Sequence, residues 1–310
     1  MSKTPLIAVV GPTASGKTDL AVNLAKLVCG EIVSADSMQI YKDMPIASAV
    51  PNDEEKQGIP HHLMELLPPT ARFTVVDYKD AATRVINDIT TRNKMPILVG
   101  GTGLYIDSVI NNITFKQEEN SNEVRNKLER QADANGMDYM HEMLAKIDTQ
   151  TADKLHANDR KRIIRALEVF EIHGKTMTEL KELSRMIPSP YDACFIGLRY
   201  KDRSKLYTRI NKRVDNMLEN GLLDEAKAAY LSVDRYTSAQ AIGHKELFEY
   251  FDGKISLETA VENLKIQTRR YAKRQMTWFG KNHQINWINV DEEQDVFTAA
   301  ENILKNSNLL

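Results

Sequence analysis

The chain has 310 residues, 42% hydrophobic and 27% charged, enough for a substantial core and unlike a disordered or fibrous composition. Its 41 basic and 43 acidic side chains leave a net charge of −2, which argues against a globally basic nucleic-acid binder. Two cysteines, Cys29 and Cys194, are too few for a disulfide framework or a zinc site and read as buried small hydrophobes.

Leu6–Val10 is a continuous apolar run, far short of the ~20 residues that span a bilayer. No secretory leader precedes it, so a reducing, cytoplasmic setting without a membrane partner is expected. The glycine-bounded loop Gly11–Thr18 follows, then a helix from Asp19 to Val28 with Leu20, Leu24 and Leu27 on one face and Gly30 as its stop. Glu31–Ala35 is a second strand and ends at Asp36. Residues 43–72 read as irregular, with the pair His61-His62 structural rather than metal-binding. Val75–Arg92 is helical, and Met95–Gly100 is a third strand closed by Gly100-Gly101-Thr102-Gly103. Strand, loop, helix and strand at these spacings make parallel βαβ units.

Between 118 and 187 no strand-like run occurs. The segment reads as helices, one of them Asp159–His173 with Ile163, Ala166, Leu167 and Phe170 inward. Pro188 and Pro190 close it, Cys194–Leu198 returns to strand, the chain from Ser204 to Lys281 is mostly helical, and Ile285–Val290 is a last strand. The expected fold is therefore α/β: a P-loop NTPase-like parallel sheet core over 1–115, an inserted all-helical subdomain over 116–190, and core completion with a helical C-terminal region over 191–310.

Gly11, Pro12, Thr13, Ala14, Ser15, Gly16, Lys17 and Thr18 satisfy G-x-x-x-x-G-K-[ST] between an apolar strand and an amphipathic helix. Backbone N–H groups and the helix N-terminus make an anion nest, Lys17 adds a mobile positive charge, and the Thr18 hydroxyl can ligate Mg²⁺. The loop cradles a diphosphate without having to hydrolyse ATP. The strand at 95–99 ends in Gly100-Gly101, with no acid of the kind that holds Mg²⁺ in nucleotide hydrolases. Asp36 is the acid nearest the same crevice, open to three readings: Mg²⁺ ligand, general base, or cap for Ser37–Ile40. Basic side chains concentrate locally, seven against one acid over 199–213 and six against none over 265–281, the footprint of a phosphate-rich partner. On the helix from Ser204, Leu206, Ile210, Val214 and Met217 form the apolar stripe, and Arg213 lies beside it, placed to point into something. Asp153, His156 and Asp159 read as surface, and Trp278 and Phe279 as core.

Eight blocks in order carry a resemblance: GPTASGKT at 11–18, SADSMQIYKDM at 34–44, HHL at 61–63, VGGTGLY at 99–105, NDRKRIIRALEVFEIHGK at 158–175, INKRVDNMLENGL at 210–222, QAIGHKEL at 240–247 and TRRYAKRQMTWF at 268–279. Together they resemble the bacterial tRNA dimethylallyltransferases, also called tRNA isopentenyltransferases. The resemblance implies transfer of a dimethylallyl group from dimethylallyl diphosphate to the exocyclic N6 amine of the adenosine 3′ of the anticodon, tRNA position 37, with release of diphosphate. It also implies Mg²⁺ as cofactor and an insertion that grips the anticodon stem-loop. Residue by residue, it gives Asp36 the attacking amine, Thr102 the bridging oxygen of the diphosphate, and Arg213 the diphosphate itself. Ser37, Met38 and Gln39 meet the target base. Lys161, Arg162, Ile163, Ile164 and Arg165 contact RNA from the insertion, and the Ala241–Glu246 loop, with Gly243, His244 and Lys245, does so from the core. Departures from the family pattern fall at Ile46–Val50, where a glycine and a lysine are usual, at His244, where tyrosine is common, and at Gly280, where arginine is usual; a zinc finger is not expected. A monomer is expected. The alternative is a small-molecule or nucleoside kinase with the insertion as lid and Asp36 as base for a substrate hydroxyl.

Overall fold

The computed structural model describes residues 3–113, 121–232, 238 and 241–310. Phe115, where the first core segment is expected to end, residues 118–120 of the expected helices, and Gln240 of the resemblance lie outside them. The chain divides into two compact units, one made of residues up to Ile110 and from Pro190 onward, the other of Asn111–Ser189.

In the first unit β1 (Thr4–Val10), α1 (Lys17–Leu27), β2 (Gly30–Ser34), the short helices α2 (Pro45–Ser48) and α3 (Asp53–Lys56), β3 (His61–His62), α4 (Val75–Thr91), β4 (Met95–Gly100) and α5 (Gly103–Ile110) come first. The second unit holds α6 (Ser121–Ile147), α7 (Thr149–Ala152), α8 (Arg160–His173) and α9 (Met177–Met186). The first unit resumes with β5 (Tyr191–Arg199), α10 (Arg203–Glu219), α11 (Leu222–Leu231), α12 (Lys245–Phe251), α13 (Leu257–Phe279), β6 (Ile285–Asn289) and α14 (Val296–Asn306). Its strands form one parallel sheet in the order β3-β2-β4-β1-β5-β6.

The two-residue period of a strand explains why β1 is apolar throughout. Leu6, Ala8 and Val10 enter the core covered by α4 and α5, whereas Ile7 and Val9 enter the one covered by α1 and α14. β1 lies between β4 and β5, so the chain leaves it in opposite directions to build the two halves of the sheet. Such a switch point opens a crevice at the carboxyl ends of the strands. Gly11, at φ +146°, turns the chain there; a Cβ at this position would collide with the Leu198 carbonyl on β5.

Residues 43–72 are more ordered than an irregular reading allows. His61-His62 forms an edge strand too short to show a periodicity, and His62 Nε2 lies 2.8 Å from Glu31, whose carboxylate also meets the Arg92 guanidinium. Cys194 is buried as expected, but Cys29 is exposed, because it sits in the turn between α1 and β2 with φ +50°. Phe279 is core, whereas Trp278 is 41% exposed and donates its indole N–H to Asp107 at 2.8 Å. No helix among the described residues is long and apolar enough to cross a membrane.

The second unit is all helical, with its own core of Leu128, Met140, Leu144, Ile163, Ile164 and Leu167. Gly136, at φ +83° and ψ 167°, breaks α6 into two helical stretches. Ile163 and Ile164 are 0% exposed. Their expected place in an RNA-contacting surface is corrected accordingly, since side chains that fill the helical core cannot reach RNA.

Candidate active site

The loop after β1 carries Gly16 at φ +91° into the first turn of α1, which aims backbone N–H groups into the crevice. Lys17 bends back and donates from Nζ to the Pro12 carbonyl at 2.7 Å. Burial and the neighbouring Arg213 guanidinium bring Lys17 down to about 7, outweighing the opposite pull of Asp36. Arg213 reaches the same point from α10, whose Leu206, Ile210 and Val214 face the interior; burial lowers it while Asp36 holds it up.

Asp36 stands just past β2. Its Oδ1 accepts the Met38 N–H at 2.9 Å, so it does cap the turn that follows, and it also faces Lys17 and Arg213. Burial raises its carboxyl from the ordinary value against both cations and the N–H donors. The capping and proton-handling readings are therefore compatible, since the cap fixes a carboxylate whose basicity is raised. Thr102, just before α5, is tied to the chain leaving β2 through its N–H on the Ala35 carbonyl at 3.1 Å, and its Oγ1 accepts the Ser37 N–H at 3.1 Å. A cavity of about 430 Å³ collects Gly16–Thr18, Asp36, Gln39, Gly100, Gly101 and Arg213. Met38 packs on the core beside it.

The expected RNA residues divide. Lys161 and Arg162 are exposed on the second unit, Arg162 at 73% with Asp159 3.1 Å away. Arg165 is held 2.9 Å from the buried Glu168. Lys245 is exposed. Gly243 and His244 are buried, and the His244 ring lies 2.8 Å from Glu225, so an RNA contact by either side is corrected: both face inward. Gly243 has no side chain to offer, and a Cβ there would come within 3.1 Å of the Ala47 methyl.

Several cavity residues carry no motif. Arg209, Lys212 and Asn216 join Arg213 on one face of α10; their spacing of three, four and seven is a helical signal that could have shown them. On α13, Gln275 accepts the Thr13 N–H at 2.8 Å and donates to the Gly101 carbonyl at 3.1 Å. Tyr271, one turn earlier, also lines the cavity, and burial raises its phenol above the ordinary value. His61 also lines the cavity; its Nδ1 meets the Ile59 carbonyl at 2.8 Å and its buried Nε2 has no partner. No group of three His, Cys, Asp or Glu side chains stands together as a metal cage among the described residues. The Thr18 hydroxyl and the carboxylates of Asp36, Asp19 and Glu55 line the cavity. They fit an ion that takes most of its ligands from phosphate and water, as Mg²⁺ does.

Residues 39–282 match the family model described as IPP transferase. The chain is 47% identical over 303 residues to the tRNA dimethylallyltransferase of Caldanaerobacter subterraneus subsp. tengcongensis, covering 97% of this chain and 96% of that one. It is 46% identical over 297 residues to that of Bacillus subtilis, covering 95% and 94%. Among solved structures, the full-length tRNA isopentenylpyrophosphate transferase of Bacillus halodurans matches with a TM-score of 0.72 at 41% identity, over 99% of this chain and 95% of that one. A eukaryotic dimethylallyltransferase acting on tRNA matches with a TM-score of 0.80 at 30% identity, over 98% and 79%.

Proposed function

The chain belongs to the IPP transferase family, the tRNA dimethylallyltransferases, and from that premise we propose that it moves the dimethylallyl group of dimethylallyl diphosphate onto the N6 amine of the adenosine beside the tRNA anticodon. The observation that carries the site assignment is the convergence of Asp36, Lys17 and Arg213 on one cavity at the carboxyl ends of the strands. In the transfer a bond forms between the amine nitrogen and the allylic carbon, the bond from that carbon to the diphosphate oxygen breaks, and the amine gives up a proton. Asp36 takes that proton, and its raised basicity suits the task. Lys17, Arg213 and the N–H groups of the phosphate loop neutralise the charge that develops on the leaving diphosphate. Thr102 holds the Ser37 backbone and serves the bridging oxygen of the diphosphate. Thr18 would hold Mg²⁺, which would add to the neutralisation of the diphosphate, leaving the Asp36 carboxylate free for the amine proton. The target base leaves its stack to reach the cavity, with Ser37, Met38 and Gln39 on the side that receives it. Lys161, Arg162, Arg165 and Lys245 supply phosphate contacts to the anticodon stem-loop.

The test is nucleoside mass analysis of tRNA incubated with the enzyme, dimethylallyl diphosphate and Mg²⁺. One dimethylallyl addition per acceptor tRNA, on adenosine, is expected. Phosphoryl transfer from ATP to a small hydroxyl substrate, with unmodified tRNA, would return the kinase reading.

A further inference from the structure

Glu225 on α11 is almost fully enclosed, its side chain 8% exposed, yet it makes no ordinary surface ion pair. Its Oε2 accepts the Ile46 N–H at 2.8 Å and its Oε1 accepts the Ala47 N–H at 2.9 Å. Oε1 also lies 2.8 Å from Nε2 of His244, itself buried just before α12. A carboxylate oxygen can only accept, so Nε2 carries the proton and donates. The carboxylate thus pins α2, a helix of four residues, from outside.

The far end of α2 forms the cavity wall. The Ser48 and Ala49 carbonyls accept from Gln39 Nε2 at 3.3 and 2.9 Å, and both residues line the cavity. Gln39 Oε1 accepts the Ser34 hydroxyl at 2.7 Å, and Ser34 Oγ in turn accepts the Asp36 N–H at 3.3 Å. Gly243, beside His244, lets the loop close on Ala47; a Cβ there would come within 3.1 Å of the Ala47 methyl. Hydrogen bonds joined through the α2 backbone connect His244 to the Asp36 N–H.

We propose that Glu225 and His244 are positioning residues for the transfer: they fix the Ile46–Ala49 wall, and through it Gln39, in the arrangement that receives the acceptor base. This rests on the assignment of that base to the Asp36–Gln39 side of the cavity. A four-residue helix cannot hold itself in water, so its placement depends on the external carboxylate, and a lone carboxylate on two N–H groups depends on a third donor to fix its rotamer.

The test compares His244→Ala with His244→Gln, whose amide can donate to Glu225 in place of Nε2. KM and kcat are measured for tRNA and for dimethylallyl diphosphate separately, with thermal unfolding and amide exchange at Ile46 and Ala47. His244→Ala is expected to raise KM for tRNA or lower kcat by about tenfold, leave donor KM within about twofold, and speed exchange at both amides; His244→Gln should recover most of the loss. If His244→Ala does not fold, His244→Leu, which keeps bulk without an N–H, carries the same expectation. Wild-type tRNA kinetics and unchanged exchange in the variant would overturn the proposal, as would an equal rise in both KM values that tracks lost thermal stability. Gln39→Ala separates the two readings. If it leaves tRNA kinetics unchanged, the base assignment fails, whereas faster exchange at Ile46 and Ala47 in the His244 variant still marks the wall as positioned from His244.

Discussion

At Lys17 two effects oppose each other. Burial and Arg213 favour the neutral amine, Asp36 favours the ammonium, and the balance brings the group to about 7. A bound diphosphate adds negative charge beside the amine and restores the proton. Donor binding near pH 7 is therefore expected to take up a fraction of a proton on Lys17, and affinity should fall as pH rises. Calorimetry in buffers of different ionisation enthalpy measures the uptake, which Lys17→Met should abolish. For Asp36 the opposite replacement is informative. Asp36→Asn keeps the shape and an oxygen for the Met38 N–H but cannot accept the amine proton, so kcat should fall by about 10²–10⁴ with tRNA and donor binding retained. Near-normal turnover would reduce Asp36 to its cap. Both residues were legible in the sequence because their signals are local: a phosphate-loop lysine, and an acid at a strand end. Arg213 was legible for a different reason, its place at the edge of an apolar stripe. The helical period already put Ile163 inward, and it and Ile164 entered the RNA-contacting set only because the resemblance was carried over as an unbroken stretch.

Among the elements, α13 shows where local reading stops. Gln275 stands 262 positions from Thr13, and only the parallel sheet order brings α13 under the phosphate loop. The basic run over 265–281 pointed to a phosphate-rich partner, yet Lys265 and Arg269 are spent on Asp215, Glu262 and Asn211, while Gln275 and Tyr271 line the cavity. Gln275→Ala removes the acceptor for the Thr13 N–H and the donor to Gly101 at once. It should loosen the phosphate loop, raise donor KM by about tenfold and cost about 1–3 kcal/mol of stability, read by steady-state kinetics and urea unfolding. At the sheet edge, Arg92 and His62 hold Glu31 down to about 2. A carboxylate depressed in the folded state stabilises above its ordinary range, near 4.5, and loses that contribution as pH falls toward 2. Glu31→Gln should thus lower Tm at pH 7 by a few degrees, with the gap to the parent protein closing between pH 4 and pH 2. This pairing had no sequence signature, because a two-residue strand shows no period and its partners lie 31 and 61 positions from Glu31.

For the molecule as a whole the electrostatics are local. A net charge of −2 provides no long-range attraction for RNA, so affinity has to come from clusters that stay exposed. Lys161 and Arg162 on α8 are such a cluster, and Arg165 keeps one edge in solvent although Glu168 holds the other. Each phosphate contact contributes a salt slope of about −0.7 to −0.9, so the four contacts of Lys161, Arg162, Arg165 and Lys245 would give a slope near −3. Replacing Lys161, Arg162 and Arg165 together with alanine should reduce the slope by about two to three units, and single-turnover transfer on saturating tRNA should stay within about threefold of the parent. The Arg165 change also takes a cation from the buried Glu168, which keeps Arg125 3.9 Å away, so it perturbs the helical core as well as RNA binding. Lys161→Ala with Arg162→Ala, which leaves the Glu168 pairing untouched, isolates the RNA term: a slope reduced by about one to two units at unchanged Tm assigns the contacts to the second unit. A slope equal to the parent's in both variants would move RNA binding to Lys245 and the cations of the first unit, and would leave the helical unit without a part in holding the anticodon stem.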